Sequence, residues 1–370
     1  MHYRIPLFRR LSEELNGGLT VAHGQAPGAK TPNFDEDIGF RRIQTRNIWL
    51  RGETLLYQNL CKALNANLPD VIVAEHSVRN IGLYELLVKT RRRRIPVLLW
   101  GHGRGQKRPL NAFSLKNIMH RWLIRNAVGY VAYTGSRAAL VEEVFPKKPV
   151  FVATNTLDTE TLFDIRRDLA RQDRRSIVRQ LGLSEKQYLL FIGRLHPNKS
   201  PGLVLKLAES LRDRGRDIGV LFIGSGAERE DLEAKARGLP DVHFLGAIND
   251  WQASAPYIFA SSILVMPQWV GLATNHSLAL GTPVLCFTTR PGGPIHGPEV
   301  DFVVNDLTGF KVPYEDWPGF VARAELLLDQ EARFNQQSIT FAEKNISIEN
   351  WLAGMTEAIE FAGRSRVGVG

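Results

Sequence analysis

Between Tyr188 and Asp316 the sequence repeats one order of segments: a short apolar stretch, a turn that contains glycine, and a helical or polar stretch. The apolar stretches are rich in Val, Ile, Leu and Phe, which is typical of parallel strands buried on both faces. They are Tyr188–Ile192, Val220–Ile223, Phe244–Gly246 and Ile263–Met266, and the helical stretch Leu203–Leu211 separates the first two. Strands that alternate with helices in this way predict an α/β domain with a doubly wound parallel sheet.

Two cations follow the first of these strands, in the run Gly193-Arg194-Leu195-His196-Pro197-Asn198-Lys199. The loop after a parallel strand opens into the crevice where α/β sheets bind ligands. Arg194 can hold phosphate oxygens in a bidentate manner and Lys199 can act as a point charge, so the pair suits a diphosphate. The alternative is that both are ordinary surface cations.

The order of motifs resembles the nucleotide-sugar-binding half of GT-B glycosyltransferases, in particular family 4. The shared motifs are G-R-L at Gly193, a lysine five residues after the arginine, G-x-G at Gly224, F-L-G ending at Gly246, and G-x-P-V at Gly281. The resemblance is close over about a third of the chain and loose over most of the rest. It implies the GT-B fold, an α/β arrangement of two Rossmann-like, doubly wound parallel-sheet domains that face a cleft.

The resemblance also implies roles for individual residues. Arg194 and Lys199 would stabilise the leaving diphosphate. The predicted helix after Gly271 and Leu272, from Ala273 to Leu280, would support the phosphates through its backbone N–H groups. No metal or other cofactor is implied, and the nucleotide-sugar is a substrate. The expected donor-binding set is Gly193, Gly224, Gly246, Gln268, Gly271, Leu272, His276 and Glu299.

The chain departs from the family at two positions. Family 4 enzymes usually carry two glutamates eight residues apart around the glycine-leucine pair, and those positions are Gln268 and His276 here. Gln268 could still bond a sugar hydroxyl, and His276 could still bond the ribose. Glu299 matches the glutamate that usually follows the next glycine-rich loop, so one acidic residue remains near the donor.

The N-terminal half fits the acceptor domain of the same architecture. Pro96–Trp100 predicts a buried strand, and His102 follows it between two glycines. The resemblance implies that His102 contacts the donor sugar. The alternative is that His102 is a loop residue with no functional role. Glu75 and His76, at the end of another predicted strand, and Arg104 are candidates for acceptor contact.

Three segments are expected: an acceptor-binding domain over 1–165, a nucleotide-sugar-binding domain over 166–346, and a helix over 347–362 that crosses back to the N-terminal domain. A length of 370 residues agrees with two domains. Cys61 and Cys286 are the two cysteines, which predicts no disulfide framework and a reducing, cytoplasmic setting. No apolar run approaches the roughly 18–20 residues that span a bilayer, and we expect neither a membrane span nor a signal peptide.

Positive charge is concentrated in the first half. Residues 1–168 carry 26 Lys and Arg against 15 Asp and Glu, whereas residues 169–370 carry 21 against 23. The run Arg91–Arg94 is the sharpest cluster, and Ser114–Arg125 predicts a basic amphipathic helix. Such a helix suits an anionic membrane surface, although its apolar side could instead pack in the core. We find no zinc spacing, RNA-binding signature or helix-turn-helix that would indicate nucleic acid.

The resemblance implies an enzyme that transfers a sugar from a nucleotide donor, with UDP or GDP as the nucleotide, to a lipid-linked or polysaccharide acceptor in bacterial surface glycan synthesis. The resemblance implies retention of anomeric configuration. Two alternatives stay open: a GT-B-fold epimerase acting on nucleotide-sugars, and a non-catalytic binding protein. The predicted location is cytoplasmic, peripheral at the inner face of the membrane.

Overall fold

A computed structural model describes residues 4–24, 38–51, 54–66, 68–103, 113–290 and 295–367. The chain forms two compact units, one from Met1–Asn155 with Ile348–Gly370 and the other from Thr156–Ser347. The first unit therefore ends at residue 155, before the expected boundary at residue 165. The helix that starts at Thr159 belongs to the second unit because its apolar face, including Leu162, is buried in the core of that unit.

Among its described residues, the first unit contains three groups of strands. A four-stranded parallel sheet has the order β5-β6-β7-β8, β1 pairs with β2 in parallel, and β3 pairs with β4 in an antiparallel manner. The strands are β1 Thr20–His23, β2 Arg41–Gln44, β3 Asn47–Leu50, β4 Leu55–Gln58, β5 Ile72–Glu75, β6 Val97–Gly101, β7 Gly129–Ala132 and β8 Val150–Val152. The helices are α1 Ile5–Glu14, α2 Cys61–Ala66, α3 Ile81–Arg92, α4 Leu115–Asn126, α5 Gly135–Val144 and, from the end of the chain, α14 Ile348–Val367.

The C-terminal helix α14 is part of the core of the first unit. Trp351 is fully buried, and its ring centroid lies 6.1 Å from that of Trp100 on β6. Gly354 lies where α14 passes over β8, and a Cβ at this position would lie 1.9 Å from the carbonyl oxygen of Val152. The absence of a side chain at Gly354 therefore allows the helix to approach the sheet closely.

The second unit is built on one six-stranded parallel sheet. Its strands are β9 Gln187–Ile192, β10 Ile218–Ile223, β11 Val242–Gly246, β12 Ile263–Val265, β13 Val284–Phe287 and β14 Gly309–Val312. Its helices are α6 Thr159–Leu169, α7 Arg174–Gln180, α8 Gly202–Arg212, α9 Arg229–Lys235, α10 Trp251–Phe259, α11 Ala273–Ala279, α12 Trp317–Asp329 and α13 Glu331–Asn345. Short 3₁₀ turns cover Pro197–Lys199 and Pro298–Phe302.

The strand order of this sheet is β11-β10-β9-β12-β13-β14. The chain moves from β9 through β10 to β11 on one side and then returns to place β12 on the other side of β9. The direction of strand addition reverses between β9 and β12, and ligands of open α/β sheets bind beyond the strand ends at such a reversal. The sheet separates two apolar cores, one containing Leu190 and Leu264 and the other containing Leu189 and Phe222.

Candidate functional site

The loops that follow β9 and β12 lie at this reversal of strand order. β9 leads into Gly193 and Arg194, and β12 leads through Met266 and Pro267 into Gln268. β9 and β12 are hydrogen-bonded neighbours, with Leu190 paired to Leu264. The two loops predicted to hold the donor therefore leave the sheet from adjacent strands.

Close packing of two loops explains why glycine stands at Gly193 and Gly224. The N–H of Gly193 donates to the carbonyl of Ile223, and the N–H of Leu195 donates to that of Ser225, both at 2.9 Å. A Cβ at Gly224 would lie 1.8 Å from the carbonyl oxygen of Gly193, so a side chain cannot fit there. Both glycines also have positive φ, 149° and 150°.

The third glycine of the predicted set continues this arrangement. Gly246 ends β11, and its carbonyl accepts a hydrogen bond from the N–H of Gly224 at 2.7 Å. The structure thus brings Gly193, Gly224 and Gly246 together on neighbouring loops at one edge of the sheet. The positive φ of all three, and at Gly224 the lack of room for a Cβ, account for glycine here even without a ligand.

Lys199 is the best-defined charged group at this edge. It is half-buried, and its Nζ donates to the carbonyl oxygen of Trp269 at 3.0 Å. Burial lowers the pKa of Lys199, the charge of Arg194 lowers it further, and the charge of Glu299 raises it. Arg194 itself is exposed. Two cations lie close enough to repel each other, an arrangement that an incoming anion would stabilise.

A backbone ladder fixes the carbonyl that Lys199 contacts. Trp269 has a left-handed backbone with φ of 54°, and its N–H donates to the carbonyl of Ile295 at 2.8 Å. The N–H of Gly297 donates to the carbonyl of Val270 at 2.8 Å. Nδ1 of the buried His296 accepts the N–H of Val270 at 3.2 Å, and burial lowers the pKa of His296 to about 4. His296 is therefore neutral when it holds this segment.

Gln268 and Glu299 take different places around the same edge. Nε2 of Gln268 donates to Oγ of Ser200 at 2.7 Å, so part of its side chain is already engaged. Glu299 lies in the 3₁₀ turn Pro298–Phe302 and is only 4% exposed. Its influence on the site is electrostatic, through Lys199.

His276 lies on α11 and has no exposed surface. Its Nδ1 is 3.0 Å from the carbonyl oxygen of Leu272, and its ring stacks on that of Trp251, with 3.3 Å between centroids and 19° between planes. Burial lowers the pKa of His276 to about 3, so the imidazole is neutral. A ribose could reach this ring only if the residues that bury it moved.

Gly271 and Leu272 precede α11 as predicted, but the helix is short. It covers the seven residues Ala273–Ala279, and a helix of two turns aligns few peptide dipoles. The carbonyls of Gly271 and Leu272 accept the first N–H groups of the turn, from Thr274 and Asn275. Side-chain cations therefore carry more of the positive charge at this edge than the helix does.

In the first unit, His102 follows β6 and is exposed at the end of the sheet. Its ring meets that of Tyr133 edge-on, with 4.7 Å between centroids. Partial burial of the ring and the guanidinium groups of Arg137 and Arg4 lower the pKa of His102. Arg4 also donates to the hydroxyl of Tyr133 at 3.1 Å and lies over the Trp100 ring.

His76 belongs to a chain of hydrogen bonds beneath the His102 loop. The N–H of Gly103 donates to the hydroxyl of Tyr130 at 2.6 Å, and that hydroxyl is 2.9 Å from Nδ1 of His76. Nε2 of His76 is 3.1 Å from Nδ1 of His120 on α4. Both ring nitrogens of His76 are engaged, so it supports the loop, whereas Glu75 at the end of β5 is exposed.

The remaining predictions fall outside these clusters. Arg104 lies outside the described residues. Within the described ranges, no group of three or more His, Cys, Asp and Glu side chains is placed to hold a metal ion. Across those same ranges, no helix combines the length and the apolar character needed to cross a bilayer.

Helix α4 is amphipathic, as predicted, but part of its apolar side is exposed. Leu123 and Ile124 are fully buried, whereas Leu115 is 75% exposed and Phe113, just before the helix, is 86% exposed. Trp122 is 38% exposed and stacks on Tyr84 of α3 at 5.4 Å between centroids. Basic residues lie on the same two helices: Lys89, Arg91, Arg92, Lys116, Arg121 and Arg125. We call these exposed apolar and basic side chains of α3 and α4 the α3–α4 surface.

Comparison with known proteins finds relatives of the second unit. Residues 186–330 match the family described as Glycosyl transferases group 1. The chain is 34% identical over 141 residues to the GDP-mannose-dependent alpha-(1-6)-phosphatidylinositol dimannoside mannosyltransferase of Mycobacterium tuberculosis, a match that covers 37% of this chain and 36% of that protein. The chain thus spans about a third of the length of this curated relative.

Solved structures resemble the chain over almost its whole length. Sucrose-phosphate synthase from Thermosynechococcus elongatus matches with a TM-score of 0.65 at 16% identity, covering 95% of this chain and 92% of that one. Anabaena HepE in complex with UDP and glucose matches with a TM-score of 0.63 at 14% identity, covering 96% and 95%. The predicted GT-B fold with two Rossmann-like domains is confirmed. The match of residues 186–330 to a glycosyl transferase family supports the prediction of a transferase enzyme.

Several residues of these clusters were not predicted from the sequence, chiefly Trp251, Trp269 and His296 in the second unit and Arg4 and Tyr133 in the first. Trp251 lies 25 residues from His276, and His296 lies 26 residues from Val270. Contacts over such separations leave no local spacing signal. The sequence indicates Trp269 and His296 only through their position, because each lies beside a glycine-containing loop that follows a strand.

Proposed function

We propose that the protein is a retaining glycosyltransferase that moves a sugar from a UDP- or GDP-linked donor to a lipid-linked or polysaccharide acceptor in bacterial surface glycan synthesis. One observation carries the proposal: Arg194 and the half-buried Lys199 lie together at the reversal of strand order, and the Arg194 charge helps to lower the pKa of Lys199. A paired, partly desolvated cation site of this kind suits a diphosphate.

The chemistry of transfer explains why cations are needed at this place. The bond between the anomeric carbon and the outer phosphate oxygen breaks, and a bond from the acceptor oxygen to that carbon forms. The leaving nucleoside diphosphate keeps the electron pair, so negative charge grows on its outer phosphate, and an oxygen of that phosphate can take the proton that the acceptor hydroxyl loses. Charges that are fixed before the reaction stabilise this change without reorganisation. Lys199, held by the Trp269 carbonyl, and Arg194 would supply them without a metal ion.

The relatives support the choice of donor nucleotide. The mycobacterial relative is named as GDP-mannose-dependent, and the Anabaena structure contains UDP. In this proposal Gly193, Gly224 and Gly246 line the donor site, and Gln268 and His276 stand where the family usually has glutamates. Glu299 tunes the charge of Lys199 from its buried position.

The first unit would supply the acceptor-binding site and the membrane contact. His102, exposed after β6, would meet the donor sugar, and Glu75 and Arg104 would meet the acceptor, with His76 acting through the loop that it supports. The α3–α4 surface combines exposed apolar side chains with basic ones, and this combination fits an anionic membrane surface. A cytoplasmic protein bound peripherally at the inner face of the membrane would reach lipid-linked acceptors.

A thermal-shift series with UDP, GDP, CMP and dTDP tests the donor site. A nucleotide at a hundred times its dissociation constant stabilises the folded state by about 2.7 kcal/mol, which raises the melting temperature by several degrees. We expect UDP or GDP to stabilise the wild type but to stabilise Lys199→Ala much less. Lys206→Ala is the matched control. Lys206 is on α8, outside the loops after β9 and β12, and its Nζ lies over the ring of Trp317.

Activity then separates transfer from the alternatives. Loss of one preorganised charge partner costs about 3 kcal/mol of transition-state stabilisation, so Lys199→Ala should transfer sugar roughly a hundredfold more slowly. An activity loss below about tenfold would contradict the role of Lys199. Release of an epimerised sugar from donor alone would favour an epimerase, and nucleotide binding without turnover of any donor would favour a binding protein.

A further inference from the structure

Two arginines of the first unit lie at helix starts. Arg4 is the N-cap residue of α1, and Arg137 lies in the first turn of α5. Positive charge is unfavourable at a helix start, where the macrodipole is already positive. Neither helix has an acidic residue in its first turn. A negative charge from outside the two helices would therefore be favourable at both starts.

Contacts with neighbouring residues bring both arginines close to His102. Arg4 donates to the hydroxyl of Tyr133 at 3.1 Å, and the Tyr133 ring meets the His102 ring edge-on, with 4.7 Å between centroids. The first turn of α5 lies beside the next residue of the loop, because a Cβ on Gly103 would be 3.5 Å from the carbonyl oxygen of Arg137. Partial burial, the charge of Arg137 and the charge of Arg4 lower the pKa of His102 to about 4. Both of these charges are positive, so positive charge is concentrated around a neutral imidazole.

The same cluster contains a buried donor. The guanidinium of Arg4 lies over the Trp100 ring, with 4.3 Å from Cζ to the centroid. Trp100 is 5% exposed, and in the described part of the chain its Nε1 has no hydrogen-bond partner. An indole N–H can only donate, and buried donors without an acceptor are uncommon in native proteins. A ligand with negative charge and several acceptor oxygens would suit this cluster.

We propose that Arg4, Arg137 and His102 form a phosphate-binding site in the first unit, and that the ligand is a phosphate group of the acceptor. This inference rests on the proposed function, which gives the first unit the acceptor-binding site. Guanidinium groups bind phosphate through paired hydrogen bonds, and helix starts add backbone N–H groups. A phosphate offers acceptor oxygens to both arginines and to the ring N–H of a neutral His102, whereas a carboxylate has fewer oxygens. The site would select phosphate-bearing acceptors over neutral glycans.

Histidine-ring NMR with inorganic phosphate tests the site. The protein is first saturated with UDP or GDP, whichever it binds, so that phosphate cannot enter the donor site, and chloride keeps the ionic strength constant. We expect the His102 resonance, assigned by its loss in His102→Gln, to move saturably as phosphate is added. A resonance that does not move at tens of millimolar phosphate would overturn the proposal.

Arginine variants separate this site from a general effect of charge. A charged hydrogen bond to phosphate should account for at least about tenfold in affinity, so Arg4→Gln and Arg137→Gln should each need at least about tenfold more phosphate for half of the movement. Arg93→Gln is the matched control, because Arg93 is exposed and precedes β6, whereas His102 follows it. It should titrate like the wild type. Equal affinities in all four proteins, with their circular dichroism intact, would overturn the proposal.

Two phosphate esters then identify the source of the phosphate. Geranyl phosphate has an apolar chain, and glucose 6-phosphate has a sugar. Tighter binding of geranyl phosphate than of inorganic phosphate, read from the His102 resonance, would support a lipid-linked acceptor, and tighter binding of glucose 6-phosphate would support a phosphorylated glycan. If neither ester moves the resonance, or if geraniol and glucose move it equally well, recognition of an acceptor phosphate is wrong.

The two proposals fail in different ways. If a nucleotide binds but phosphate does not move the His102 resonance, only the phosphate site is wrong. If the nucleotide alone moves this resonance and phosphate then adds nothing, the cluster binds the donor diphosphate and its assignment to the acceptor is wrong. If no nucleotide binds, the proposed function is wrong and the acceptor assignment is wrong with it, even where phosphate moves the resonance.

Discussion

Lowering the pH from 7 to 5 should destabilise the second unit, because His276 is folded as a neutral imidazole. Burial lowers its pKa to about 3, whereas an unfolded histidine has a pKa of about 6.5. The unfolded chain therefore binds a proton first as the pH falls, and stability that is present above pH 6.5 is lost toward pH 3. For one such histidine, the loss between pH 7 and pH 5 is about 2 kcal/mol.

Urea unfolding at the two pH values measures this loss, and His276→Phe isolates it. Phenylalanine can occupy the same place under Trp251 but does not titrate, so the variant should lose about 2 kcal/mol less than the wild type over this pH range. Other histidines contribute equally to the pH-dependent loss of stability in both proteins, so their contributions cancel in the difference. They are His296 in the same unit and His76, His102 and His120 in the first unit. An equal loss in wild type and variant would refute the burial of a neutral His276.

Two further predictions concern the first unit. Gly354→Ala should destabilise it by about 2 kcal/mol or more in thermal unfolding, because the new Cβ meets the Val152 carbonyl, whereas Gly363→Ala on the same helix has open space and should stabilise it slightly. Trp122→Ser in the α3–α4 surface should weaken sedimentation with phosphatidylserine vesicles about tenfold. Ile48→Ser changes a similarly exposed residue on β3 and should leave sedimentation with the vesicles unchanged. Equal effects of the two substitutions would contradict membrane docking through this surface.

The sheet of the second unit could be predicted from the sequence because its strands are apolar without interruption. Residues of β9 and β10 are buried almost throughout, so composition alone marks them as central strands. Helix α4 was predictable from the Ser114 N-cap and its apolar spacing. The boundary between the two units was less predictable, since α6 is amphipathic and its sequence does not specify which sheet it packs on.

The candidate site was predictable where one loop contains the residues and not where it depends on distant contacts. Arg194 and Lys199 share a loop, so their proximity follows from the chain. His276 is buried and stacks on Trp251, a residue of another helix, and no spacing rule relates the two. The same holds for His76, whose partners Tyr130 and His120 come from a neighbouring strand and from α4.

The most direct test of the account is the coupling between Lys199 and the outer phosphate of the nucleotide. Calorimetric affinities of UDP and UMP, or of GDP and GMP, are compared in the wild type, Lys199→Ala and Lys206→Ala. A charged hydrogen bond contributes about 1.5–3 kcal/mol, so the outer phosphate should add at least tenfold to affinity in the wild type and in Lys206→Ala. It should add less than about threefold in Lys199→Ala. The same gain in all three proteins would contradict the claim that Lys199 holds the leaving diphosphate.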